Sequence, residues 1–116
     1  MIPSQTAYQM SFAFLSLLYI GNRERYASGL PTLLGSMQIL ADDRPANPLM
    51  TALWSQALGS RSIRPEDLFE ALLRFLTTAQ QIGGDADVGA LIAFLRAQRD
   101  SVWTPWLEQS LARLDE

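Results

Sequence analysis

Apolar residues along this chain return every three to four positions, and no stretch alternates apolar with polar. That period belongs to helices with one face turned to a core, not to strands. Six segments follow from it. The first spans about Ser4 to Ile20. Thr6 with Gln9, or else Ser4, marks its start as a capping group. Tyr8, Phe12, Leu15 and Tyr19 share one face, while Phe14, Leu17 and Leu18 add a second, so the helix is expected to be buried widely. Gly21-Asn22 ends it. The second begins near Ser28 with Pro31 in its first turn, and Leu30, Leu33, Leu34 and Met37 form its core stripe. Ile39-Leu40 leads into a loop at Asp42-Asp43-Arg44-Pro45. Asn47-Pro48 pairs a favoured cap with a first-turn proline and opens the third segment, whose core residues are Leu49, Leu53, Trp54 and Leu58.

Gly59 to Arg64 divides the chain. The fourth segment opens at Pro65-Glu66-Asp67, with acids where a helix N-terminus favours them. It carries Leu68, Phe69, Leu72, Leu73, Phe75 and Leu76 in two adjoining rows, and Gly83-Gly84 stops it. Asp85 or Asp87 caps the fifth, with Val88, Leu91, Ile92 and Leu95 inward. Thr104-Pro105 starts the sixth, which is expected to bury Trp103, Trp106, Leu107, Leu111 and Leu114. The fold class is therefore all-α, a compact six-helix domain over residues 1–116.

The order of these landmarks repeats. Tyr8 pairs with Phe69, Phe14 with Phe75 and Leu15 with Leu76. Leu30 pairs with Val88, Leu33 with Leu91, Leu34 with Ile92 and Met37 with Leu95, and Trp54 with Trp106 closes the series. The spacing between partners falls from 61 to 58 to 52, so the match needs two gaps, both in loops. Core stripes resemble one another in all helical bundles, and the order of the aromatics is what raises the signal. Two pseudo-repeated three-helix units, approximately 4–59 and 64–115, are expected. A true duplication would pack them about a pseudo-two-fold axis with the first helix against the fourth.

Composition narrows the chemistry. With 48% hydrophobic and 18% charged residues the chain is an ordinary globular one. It has no Cys and no His, and all nine basic residues are Arg. Thiol nucleophiles, Ser-His dyads and the common zinc sites are thereby excluded, as are Schiff-base lysines and the P-loop lysine. The net charge of −3 speaks against nucleic acid and is compatible with a basic partner. Arg23 and Arg25 flank Glu24 without a supporting basic run. Met10 to Ile20 is about half the length of a bilayer span, so a buried helix in a cytoplasmic protein is expected rather than a membrane segment.

Carboxylates are the remaining candidates for chemistry. Glu66 and Glu70 stand one turn apart, a spacing suited to a divalent ion, yet bundle metal sites draw acids and histidines from several helices. The Gly83-Gly84-Asp85-Ala86-Asp87 run lacks the later ligands of a calcium loop. No catalytic residue, metal or cofactor is expected, and no enzyme activity. Trp103-x-x-Trp106 reads as a core lock rather than a stacking platform.

The opening helix with Tyr8, Met10, Phe14 and Leu15, the stretch Leu33 to Leu40, and Pro45-Ala46-Asn47-Pro48 leading to Trp54 together resemble small helical immunity proteins. These are encoded beside bacterial polymorphic and contact-dependent-inhibition toxins. The likeness covers about half the chain. Ser36 stands where such sequences have Asp, Asn47 where they have Asp, and their Trp-x-x-Trp is found in this chain only in the second half. The resemblance implies a non-catalytic protein-binding module that neutralises a toxin domain by direct binding, with a basic nuclease as one such partner. A general helical adaptor or a homodimer without a toxin partner is the alternative. The expected contact residues are the acids at helix starts and loops: Asp42, Asp43, Glu66, Asp67, Glu70, Asp85 and Asp87, gathered at one end of the bundle. Oligomeric state is left open.

Overall fold

Glycines close two of the helices in the computed structural model, which describes residues 1–26, 28–42 and 44–114. Gly59 (φ 74°) and Gly84 (φ 72°) each adopt the left-handed conformation that ends a helix without a Cβ clash. Among the described residues the chain forms α1 (Ser4–Gly21), α2 (Gly29–Met37), α3 (Leu49–Leu58), α4 (Pro65–Gly83), α5 (Ala86–Ala97) and α6 (Thr104–Leu114). The described residues are 75% helical, an all-α globule. Its radius of gyration of 13.4 Å is that of one compact domain of this length. Asn47 accepts the Leu49 N–H at 3.0 Å, the cap its position predicts.

Three local features depart from the sequence reading. Neither Ser4 nor Thr6 caps α1 with its side chain. Instead Ser4 N–H donates to Arg61 O, beside a two-residue antiparallel pairing of β1 (Ile2–Pro3) with β2 (Ser62–Ile63) in which Ile2 faces Ile63. The segment after α2 turns back on itself: Ile39 bridges Pro45, Leu40 N–H donates to Arg44 O, and Ala46 N–H to Gln38 O. Between α5 and α6 there is no fresh cap at Thr104. A π-helical turn, Arg99–Trp103, carries the chain into α6, with Thr104 N–H bonded to Arg99 O.

The core is one cluster drawn from all the helices before α6 together with Trp103. Two tryptophans organise it. Trp54 lies edge-on to Tyr8 at 5.8 Å and to Phe75 at 5.5 Å. Trp103 lies edge-on to Phe14 at 4.9 Å and tilted against Phe69 at 5.5 Å. Each thus joins a ring of α1 to a ring of α4. The closest helix packing is α3 on α4, α4 on α5, α1 on α2 and α2 on α5. α1 and α4, expected to lie against each other, are not a close pair and meet through the rings of Trp54 and Trp103 between them.

Burial corrects the predicted stripes in several places. α1 is buried only as far as Leu15, and Leu17 is exposed. Leu49 is exposed and Met50 takes its place inside. Leu34 and Ile92 are half-buried. α6 has no fully buried residue: Trp106, Leu107 and Leu111 pack on the rim of the core, and Leu114 is exposed.

Candidate partner-binding surface

The predicted acids separate into three places. Asp42 stands at the tip of the Gln38–Ala46 hairpin, exposed, where it accepts the Arg44 N–H at 3.2 Å. Asp43 lies outside the described residues. On the first turn of α4, Glu66 and Asp67 pair with Arg64 at 3.7 and 3.0 Å, all three well exposed, while Glu70 is exposed beside Arg74 in a neighbouring cleft. Exposed pairs of this kind add little stability. Asp85 stands at the N-cap position of α5 but makes no capping hydrogen bond.

Asp87, half-buried, is committed to holding the fold. Its carboxylate accepts N–H groups of Gly29 at 2.8 and 2.9 Å and of Leu30 at 3.0 Å, and the Ser28 hydroxyl at 3.2 Å. It caps α2 from the first turn of α5. Partial burial pushes its pKa up, but the hydrogen bonds from Leu30, Gly29 and Ser28 outweigh this and hold it below the usual carboxylate range. Gly29 is required by that approach: a methyl there would come within 2.6 Å of Asp87 Oδ1 and closer still to Asp85 Cβ. The acids therefore do not form one surface. No group of three carboxylates among the described residues is placed to hold a metal ion.

A cavity of about 590 Å³ lies between α1, α3 and the Gln38–Ala46 hairpin. Tyr8 and Trp54 form its floor, but their polar atoms are engaged. Tyr8 donates its hydroxyl to Met37 O at 2.7 Å, with burial pushing its pKa up to about 12, and Trp54 Nε1 donates to Ser4 O at 3.1 Å. The polar groups of its wall come instead from Gln5, Asp42, Arg44, Thr51 and Ser55. Among the described lining residues no acid–base pair or nucleophile with a base is assembled there.

The second half of α1 and the whole of α2 make a different kind of surface. α2 contains no charged residue. On one side it borders a cavity of about 300 Å³ lined by Phe12, Tyr19, Ile20, Pro31 and Leu34, again with no charged side chain. On the other side a cleft of about 150 Å³ runs between α2, α3 and α4, with Leu49 and Ile82 on its lip and Asp85 at its end. Ile20 and Ile82 are each 60% exposed, Leu17 58% and Leu49 43%. The result is an uncharged helical ridge flanked by two clefts, the first without a charged residue among its described lining and the second with Asp85 at its end. Exposed apolar side chains around a face without charge mark interaction surfaces, whose centres are depleted of charge.

The same places on α4 carry different chemistry. Counting from the helix starts, Leu17, Tyr19 and Ile20 of α1 correspond to Thr78, Gln80 and Gln81 of α4, which are also half-buried or exposed. A helix end in this setting folds with polar residues, so exposed Leu17 and Ile20 are not demanded by the core, whereas Tyr19 packs against its edge. Sequence reasoning missed this ridge because periodicity assigned every apolar residue of α1 to burial. The available signal was excess: α1 carries apolar residues on more faces than one core contact uses.

No helix among the described residues is long and apolar enough to cross a membrane. Comparison with known proteins finds no matching family model, no similar curated protein and no similar solved structure.

Proposed function

We propose that this protein is a non-catalytic protein-binding module acting as an immunity protein, which neutralises a cognate bacterial toxin by direct binding in the cytoplasm. The observation that carries the binding part is the uncharged α2 ridge between exposed Leu17 and Ile20 on one side and Leu49 and Ile82 on the other. The toxin part rests on the resemblance, whose stretch from Leu33 to Leu40 includes the later half of this ridge. The ridge supplies apolar contact area. Asp42 and the acids of α4 lie outside the ridge and would steer a basic partner rather than anchor it.

Co-expression with the product of the adjacent reading frame tests this reading. The expected result is cell survival and a stable complex recovered by pull-down. Ile20→Glu and Ile82→Glu each bury a charge in that contact, and each is expected to weaken the complex by about tenfold or more. Melting temperature should stay within a few degrees, since both sites are exposed. No protection together with no complex would remove the toxin reading. An uncharged ridge also suits a second copy of the chain. A concentration-independent dimer in sedimentation, with no partner from the locus, would favour the adaptor or homodimer instead.

A further inference from the structure

We infer that the chain is a fused dimer. Two copies of one three-helix unit close on each other within a single chain, about a two-fold axis passing between Ile2 and Ile63 and between Gly29 and Asp87. The partner-facing ridge is built on α2, Leu17, Ile20 and Leu49 of the first copy, with Ile82 of the second on its lip. The second copy has Thr78 and Gln81 in place of Leu17 and Ile20, so each chain takes one partner; this last clause rests on the binding role proposed above.

A residue that touches its own counterpart in a two-fold arrangement lies on the axis. The sequence pairing sets counterparts 61 apart across α1 and α4 and 58 apart across α2 and α5. Ile2 and Ile63 are 61 apart, and they face each other in the antiparallel β1–β2 pair. Gly29 and Asp87 are 58 apart, and the Asp87 carboxylate accepts the Gly29 N–H. Two self-contacts define a line. Neither contact belongs to the core pairs that define those spacings.

The aromatic core obeys the same operation. Exchanging counterparts turns the set Tyr8–Trp54–Phe75 into Phe69–Trp–Phe14, and the structure holds that second set with Trp103 at its centre. Trp103, not Trp106, is the counterpart of Trp54, which moves the last spacing from 52 to 49. The close pair α1–α2 maps onto α4–α5, and α2 packs on its own counterpart α5. The departures have local causes. With this spacing Trp106 falls where the first copy has Ala57. Small Ala57 lets α3 lie close on α4, where Arg74 reaches the Ala57 carbonyl at 2.8 and 3.0 Å. Bulky Trp106, 5.0 Å from Phe14, stands α6 off from α1 and leaves that helix half-exposed. The Gln38–Ala46 hairpin is extra chain in the first copy, replaced in the second by the π-helical turn.

Two measurements on the full chain test this without any partner. Trp54→Phe and Trp103→Phe should lower the urea midpoint by similar amounts, each about twice or more the effect of Trp106→Phe. A Trp106→Phe effect equal to that of Trp103→Phe, or a Trp103→Phe effect far below that of Trp54→Phe, would overturn the correspondence. Because the chain has no cysteine, Ile2→Cys with Ile63→Cys creates one defined pair. Oxidation should give a fast-migrating monomer on a non-reducing gel. Disulfide-linked dimers, or free thiols in a folded sample, would overturn closure within one chain. Loss of toxin binding alone would leave both results standing and would remove only the proposed function.

Discussion

Asp87 looks in the sequence like any acid on the first turn of a helix, and an exposed contact residue is the natural expectation. In the fold it serves another helix, 58 residues away in the chain. Nothing local marks that partnership, because the donors are backbone N–H groups that every residue possesses. Gly29 was the visible half of the signal, at a helix start with no side-chain cap of its own. Asp87→Ala should cost about 1 kcal/mol, the usual worth of a lost cap, measured by urea or thermal unfolding. The sign of the pH dependence follows from the depressed pKa. A carboxyl lower in the folded than in the unfolded state contributes stability above the unfolded value, about 3.9, and loses it as pH falls through the folded value. The wild-type advantage over Asp87→Ala should therefore be full at pH 6 and shrink below about pH 4. An advantage that did not change with pH would mean that the carboxylate charge contributes nothing there.

Helix existence was legible at the scale of elements, and so were most ends. Caps and glycines act through contacts a few residues apart, so Asn47, Gly59 and Gly84 did what their positions promise. The β1–β2 pair, the hairpin and the π-helical turn were not legible, since each depends on what the rest of the molecule brings alongside. Nor can periodicity tell an apolar residue that faces the core from one that faces a partner. α1 is the case in point. Its early turns are buried, while Leu17 and Ile20 face solvent at places where α4 carries Thr78 and Gln81. The double substitution Leu17→Thr/Ile20→Gln copies the α4 chemistry into α1. It should change stability by no more than about 1 kcal/mol, within the range of exposed sites, while weakening partner capture. A loss of several kcal/mol would mean that these residues serve the fold after all.

For the whole molecule, the order of aromatics in the sequence was informative in a way its composition was not. The two halves read as separate units on paper, each with three helices and a tryptophan. In space neither tryptophan serves its own unit alone. Trp54 from the first half lies against Phe75 of the second, and Trp103 from the second lies against Phe14 of the first. α2 is capped from α5, and β1 pairs with β2 of the other half. Removing either half would expose the rings and leave the Gly29 and Leu30 N–H groups without acceptors, at a cost no single unit of this size can carry. The two halves should therefore unfold together. Urea denaturation followed by far-UV circular dichroism and by tryptophan fluorescence should give coincident single transitions, with a slope of about 1–2 kcal/mol per molar. Trp54 and Trp103 make the fluorescence a report on both halves at once. A second transition in either signal would show that the halves hold separate cores, and the shared aromatic contacts would then be packing between two domains rather than the centre of one.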